Sequence, residues 1–203
     1  MDLDTLLALR AAEPLTYGEY LDLMARQAAA EPPAGDTLAA ERARFIPLNL
    51  QRSRRIGRTW RPSSELAALL HELPGPQTWV MLTEPWCGDS AQCLPCVAIM
   101  AAVTPDVTVR VFLRDENPAI MDRFLTDGKR GIPLVALFDA GGQLFARWGP
   151  RPVAARDVFL AAKSEGLPKP AALERLHRWY ARDRGRAVDA EFRALFARLG
   201  ATR

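Results

Sequence analysis

A chain of 203 residues, 49% hydrophobic and 25% charged, can build one packed core with extensions and is too apolar for a disordered segment. The formal net charge of +3 is a mild basic bias carried mostly by arginine, weak grounds for a nucleic-acid partner. No apolar leader follows the acidic start, and no run reaches the eighteen or so apolar residues of a membrane span, so a cytoplasmic protein is expected.

Residues 1–54 read as a helical N-terminal extension. Leu3, Leu6, Leu7 and Leu9 form a short apolar stripe. Thr16 and Glu19 make a capping box, each side chain satisfying the other residue's backbone donor, ahead of a helix through Tyr20, Leu21, Leu23 and Met24. The prolines and glycine of 31–35 break that helix. A third helix is expected from about Thr37 towards Arg52, with Phe45, Leu48 and Leu50 apolar. Arg52, Arg54, Arg55, Arg58 and Arg61 are the densest basic run. Such a run can track a phosphate backbone, but it reads first as a solvated or ion-paired helix end.

From Ile56 the pattern alternates between strand and helix. Ile56–Trp60 reads as an edge strand stopped by Pro62, and Ser63 caps a helix through Leu66, Leu69, Leu70 and Leu73. Thr78–Leu82 is a continuous apolar run, the pattern of a buried strand. A helix to about Val103 and a strand over 108–113 follow. Asn117-Pro118 opens a helix expected to end near Gly128, before a strand over 134–138. Gly141-Gly142 signals a hairpin into a strand over 143–148, and a helix follows over 153–164. Residues 166–203 read as a helical tail packing on the domain, with one stripe at Leu173, Leu176, Trp179 and Tyr180 and another at Val188, Phe192, Leu195, Phe196 and Leu199.

All three cysteines, Cys87, Cys93 and Cys96, fall in the stretch between the apolar strand and the next helix. Clustered in a reducing compartment, they suggest catalysis, metal binding or core packing rather than a disulfide framework. Cys87 stands where strand turns into helix, and the free N–H groups and positive dipole end there favour thiolate. Asp89, one residue into that helix, opposes this as a like charge and should raise the Cys87 pKa. The expectation is a sulfur less acidic than a free helix-terminal thiol, yet accessible and more reactive than a buried one.

Cys93-Leu-Pro-Cys96 has the spacing of a redox pair itself, but it begins some ten residues past the strand end. Cys93 and Cys96 therefore read first as packed helix residues; six helical residues span about 9 Å, beyond disulfide reach of Cys87, so as secondary thiols they could resolve it only if the first turn unwinds. A zinc site wants four ligands and there is no second C-x-x-C, so no metal and no cofactor are expected. His71 and His177 are far in sequence from Cys87 and read as structural.

Trp86-Cys87-Gly88 at a strand–helix junction, Pro95 eight positions after the cysteine, Asn117-Pro118, and Arg130-Gly131-Ile132-Pro133 together resemble the thioredoxin superfamily over about residues 55–165. Thr83–Asp89, Arg114–Pro118 and Trp148–Pro152 are similar to a bacterial thioredoxin-like branch with helical flanks. The resemblance implies an α/β fold, a mixed central sheet in the order βαβαβαββα. It also implies a cis Pro133 facing Cys87, and a glycine at Gly149 closing the last strand. It further implies a substrate groove of Trp86, Gly88, Asp89, Gly131, Ile132, Pro133 and Gly149, with Arg114 and Arg130 at its rim. In that family a second cysteine resolves the mixed disulfide; here that position is Ser90, whose hydroxyl cannot do so. Met81 stands where the family has a buried aspartate, and nothing assigns its role to Glu84.

Three readings follow. In the first, Cys87 is the single nucleophile of a thiol-disulfide oxidoreductase whose partners are protein or small-molecule thiols and disulfides. In the second, the groove is a non-catalytic peptide-binding module. In the third, Cys87 is a redox sensor oxidised to sulfenate.

Overall fold

The computed structural model describes residues 2–35 and 37–200. Four strands, β1 (Gln77–Thr83), β2 (Val107–Leu113), β3 (Leu134–Phe138) and β4 (Leu144–Trp148), form one sheet in the order β2-β1-β3-β4. β1 and β2 run parallel, with Met81 opposite Val111, while β3 runs antiparallel to both β1 and β4. Ten α-helices surround the sheet among the described residues: α1 (Leu3–Leu7), α2 (Tyr17–Ala29), α3 (Thr37–Ala43), α4 (Ile46–Thr59), α5 (Ser64–His71), α6 (Gly88–Ala101), α7 (Pro118–Met121), α8 (Val153–Ser164), α9 (Lys169–Asp183) and α10 (Arg186–Gly200).

Side chains alternate across a strand, so the apolar run of β1 feeds two cores. Trp79 and Met81 join Val111, Val135 and Leu137 on one face; Val80 and Leu82 join Phe112, Ala136 and Phe138 on the other. The first face carries the larger core, to which both flanking helical segments contribute. Tyr20, Met24 and Leu50 enter from the N-terminal side, and Leu176, Val188, Phe192 and Phe196 from the C-terminal side. Trp79 stacks on Phe196 with ring centroids 5.8 Å apart. The second face is closed by Leu6 of α1 and by Ile120, Met121 and Phe124. No helix among the described residues is long and apolar enough to cross a membrane.

The expected capping box is present: the Glu19 N–H donates to Thr16 Oγ1 at 3.2 Å, and the Thr16 N–H donates to Glu19 Oε2 at 2.7 Å. Three expectations fail. Ile56–Trp60 is not an edge strand but the last turn of α4 and its cap. Ile46, Asn49, Leu50 and Ser53 are buried at helical spacing, and polar Asn49 and Ser53 at core positions had hidden that stripe. The helix expected from Thr37 is two helices, divided ahead of Pro47, which stands in the first turn of α4 and has no N–H to donate to the Ala43 carbonyl. The sheet thus lacks the first strand of βαβαβαββα, and beside β2 the chain makes one antiparallel bridge, Leu15 exchanging both hydrogen bonds with Val111 at 2.8 and 2.7 Å. The helix at Pro118 ends after one turn, followed by a 3-10 turn at Asp122–Phe124. Thr126 and Lys129 then pair across Asp127-Gly128, both at positive φ, which is the turn that an Asp-Gly pair favours.

Candidate functional site

β1 ends at Thr83 and the chain turns through Glu84-Pro85-Trp86, closed by the Cys87 N–H donating to the Glu84 carbonyl at 3.0 Å. Cys87 is the N-cap of α6, extended at φ −78° and ψ 114°, and its carbonyl accepts from the Ala91 N–H. Ile132-Pro133 is cis, and Cys87 Sγ donates to the Ile132 carbonyl at 3.5 Å. Gly149 holds this loop from behind. Its φ is +121°, and a Cβ there would be driven into the Pro133 carbonyl oxygen. Gly131 lies against the Pro150 ring. Cys87, Gly131, Ile132, Pro133 and Gly149 are therefore brought together, with the half-buried Trp86 ring beside the sulfur-bearing turn.

The sulfur is not the accessible, partly ionised group expected from its helix-terminal position. Cys87 is 8% exposed. Burial first, and the Asp89 charge second, push its thiol up to about 11, against the opposing pull of the Ser90 hydroxyl and the Ser90 and Asp89 N–H groups. Desolvation of a thiolate exceeds what the first helical turn returns. Ser90, in the resolving position, is itself buried. Cys93 and Cys96 are fully buried in the larger core, whereas Cys87 belongs to the smaller one. Burial raises both of their thiols as well.

Asp89 lies on the helix's inner side. Its two oxygens take the Arg151 guanidinium at 2.6 Å and the Tyr180 hydroxyl at 2.7 Å, and Tyr180 in turn accepts from Cys93 Sγ at 3.7 Å. Burial raises the Asp89 carboxyl despite Arg151 and Tyr180, which pull it down. His177, also from α9, packs its ring so closely on Gly88 that a Cβ there would lie 2.7 Å from it. Burial, then the Arg52 and Arg151 charges, lower His177 to about 4, so it is neutral at pH 7. Helix α9 thus folds over the first turn of α6 and brings His177, distant from Cys87 in sequence, against Gly88. Nothing local in the sequence marks Tyr180 or His177 for this place; Arg151 does lie within the Trp148–Pro152 motif.

On the outer side, Trp86 lies under two guanidiniums, Arg42 at 4.4 Å and Arg114 at 4.9 Å from its ring centroid. Asp115 holds both, 3.3 Å from Arg42 and 2.6 Å from Arg114. Arg130 forms a bidentate pair with Asp122 at 2.7 and 2.8 Å, and its charge is spent there. Glu84 is buried and accepts from the Asp115 N–H at 2.7 Å; burial, the largest cause, raises it to about 7.

This chain of features, a cysteine at a strand–helix junction facing a cis-proline loop over a β2-β1-β3-β4 sheet, defines a thioredoxin-like fold. A family model described as thioredoxin matches residues 39–165, more than half of the sequence, and the chain belongs to that family. No curated protein matches it. Three solved structures are similar. A protein of unknown function from Pseudomonas aeruginosa is 19% identical over 73% of this chain and 90% of its own, with a TM-score of 0.49. An HIV epitope-scaffold is 19% identical over 70% and 82%, with a TM-score of 0.48. A domain of alkylhydroperoxide reductase from Enterococcus faecalis is 21% identical over 50% and 49%, with a TM-score of 0.39.

Proposed function

We propose that this protein binds an extended polypeptide along the groove at Trp86 and Ile132-Pro133, with Cys87 held beside it as a resting thiol. The observation that carries this reading is the Ile132 backbone. Its carbonyl takes the Cys87 S–H at 3.5 Å, and its N–H meets no acceptor among the described residues. One residue offering both groups just outside the sheet ladder is what an added peptide strand pairs with. The thiol state fits the same reading, because only S–H can donate to that carbonyl. With the pKa pushed up to about 11, the sulfur is held as thiol at pH 7.

A second reading, monothiol exchange, is favoured by the place of Cys87 at the α6 N-terminus, bordering the groove. The Cys87 thiolate would attack a disulfide RSSR′, forming Cys87–S–SR and releasing R′S⁻. An external thiol R″SH would then attack the mixed disulfide, giving RSSR″ and restoring the Cys87 thiol. Ser90 leaves that second step to a thiol outside the chain.

Carboxymethylated insulin B chain, an extended polypeptide without free sulfur, separates the two readings. The binding reading expects saturable association that survives Cys87→Ser and is lost in Trp86→Ala. Failure of that association, together with insulin disulfide turnover needing both Cys87 and added glutathione, would replace it with the exchange reading.

A further inference from the structure

A recess of about 930 Å³ opens where α4, α9 and α10 meet, with Tyr180 in its wall. Five arginines line it, Arg55, Arg61, Arg184, Arg186 and Arg193, against one carboxylate, Asp189. That carboxylate is already engaged. Its oxygens take the Ser63 N–H and hydroxyl at 2.8 Å each, and Arg193 Nε lies 3.2 Å away. Arg186 donates to the Asp183 and Arg182 carbonyls at the end of α9, and Arg61 to the Trp60 carbonyl. Arg55 and Arg184 have no carboxylate within ion-pair range among the described residues.

The backbone fixes this arrangement. Arg184 caps α9 in the left-handed conformation at φ 57°. Gly185, next to it, sits so tightly on Trp60 that a Cβ would lie 2.6 Å from Nε1 of the indole. The α9–α10 turn is thereby seated on the C-terminal end of α4. A second recess of about 280 Å³ shares Arg55, Gln92 and Ala181 with the first and adds Arg52 and His177. Arg52 is held below its ordinary pKa by burial and then by the Arg55 charge, and it donates to Asn49 Oδ1 at 3.0 Å.

Like charges gathered around a concave wall focus a positive potential that an anion relieves. Guanidinium forks match phosphate oxygens, and the volume lies within the range of roughly 300–1,000 Å³ usual for small-molecule sites. Ile56 and Trp60 supply apolar wall beside the charges. We propose that this recess binds a small phosphorylated molecule, its phosphate oxygens taken by Arg55 and Arg184 and its organic part lying against Ile56 and Trp60. The site does not depend on the peptide-binding reading of the Cys87 groove.

The probes are pyrophosphate and ADP, titrated calorimetrically into the full chain at one fixed ionic strength, with citrate as a phosphate-free polyanion. Saturable binding of both phosphates is expected, with citrate weaker. The Arg55→Gln/Arg184→Gln double variant should weaken them by at least about tenfold. Each single variant should weaken them by a smaller factor, which covers a failure of the double variant to fold. Arg58→Gln, on an exposed arginine of the same helix outside the recess, and Cys87→Ser should leave binding unchanged. Absence of saturable binding, citrate binding as tightly as pyrophosphate, or equal weakening by Arg58→Gln would overturn the proposal.

Discussion

The Tyr180 hydroxyl donates to Asp89 Oδ1 at 2.7 Å, joining the last third of the chain to the first turn of the cysteine helix. Arg151 takes the other carboxylate oxygen, so one buried acid is held from the β4–α8 corner and from α9 at once. Removing one partner of a buried ion pair leaves a charge without compensation, a loss of roughly 3–5 kcal/mol, whereas losing one hydrogen bond to a buried acceptor costs about 1–3 kcal/mol. In urea denaturation, Arg151→Met should therefore destabilise the protein more than Tyr180→Phe. Asp89→Asn in the Arg151→Met background should recover part of the loss. If Tyr180→Phe is the costlier change, the ion pair is not what anchors the tail.

The same carboxylate acts on the sulfur one residue before Gly88. Asp89 is the second cause, after burial, of the raised Cys87 thiol, and the Ser90 hydroxyl acts in the opposite sense. At one fixed alkaline pH, alkylation of Cys87 by iodoacetamide should be faster in Asp89→Asn than in the wild type. In the native wild type at pH 7, none of the three cysteines should react quickly with Ellman's reagent, and all three should react once the chain is unfolded. A fast native thiol would mean that Cys87 is far more acidic and exposed than the buried geometry allows.

What could be read from the sequence is what local chemistry decides. The apolar run of β1 and the Thr16–Glu19 capping box are each specified by residues within a few positions of one another, whereas the cis Pro133 loop was implied by the family resemblance, and the structure contains all three. Ile56–Trp60 was misleading because five residues fit a two-residue and a 3.6-residue period equally well. Asn49 decides between them only through its Nδ2 donation to the Pro85 carbonyl at 3.1 Å, a contact 36 residues away in sequence. The stripe of Leu176 and Tyr180 was visible as a buried face, but not that Tyr180 reaches Asp89 and Cys93 of α6. Burial of Cys87 was hidden for the same reason. The helix dipole is a local property, while the desolvation that outweighs it is supplied by Ile132, Phe124 and other residues distant in sequence.

Gly88 and His177 provide a direct test that α9 covers the start of α6. A Cβ at position 88 would lie 2.7 Å from both Cε1 and Nε2 of the imidazole. With no neighbour there, Gly88→Ala at this first residue of α6 would stabilise the protein by roughly 0.4–1 kcal/mol, chiefly by restricting the unfolded chain. With His177 in place it should instead destabilise, and His177→Ala should restore the ordinary gain. A double-mutant cycle should give a coupling of roughly 0.5–3 kcal/mol, and additivity within error would separate the two residues in solution.

Glu84 and His177 should make stability respond to pH in opposite directions. Glu84 rises from an ordinary 4.5 to about 7 in the fold, so between those values the folded chain holds the extra proton and stability falls as pH rises. His177 falls from 6.5 to about 4, so between those values the unfolded chain holds the extra proton and stability rises with pH. Each slope approaches about 1.4 kcal/mol per pH unit, and the two windows overlap from about pH 4.5 to 6.5, where they largely cancel. Glu84→Gln should expose the rising His177 slope, and His177→Gln the falling Glu84 slope. Chemical denaturation at closely spaced pH values measures both. Identical pH profiles for wild type and Glu84→Gln would show that the carboxyl is not buried as the Asp115 N–H contact requires.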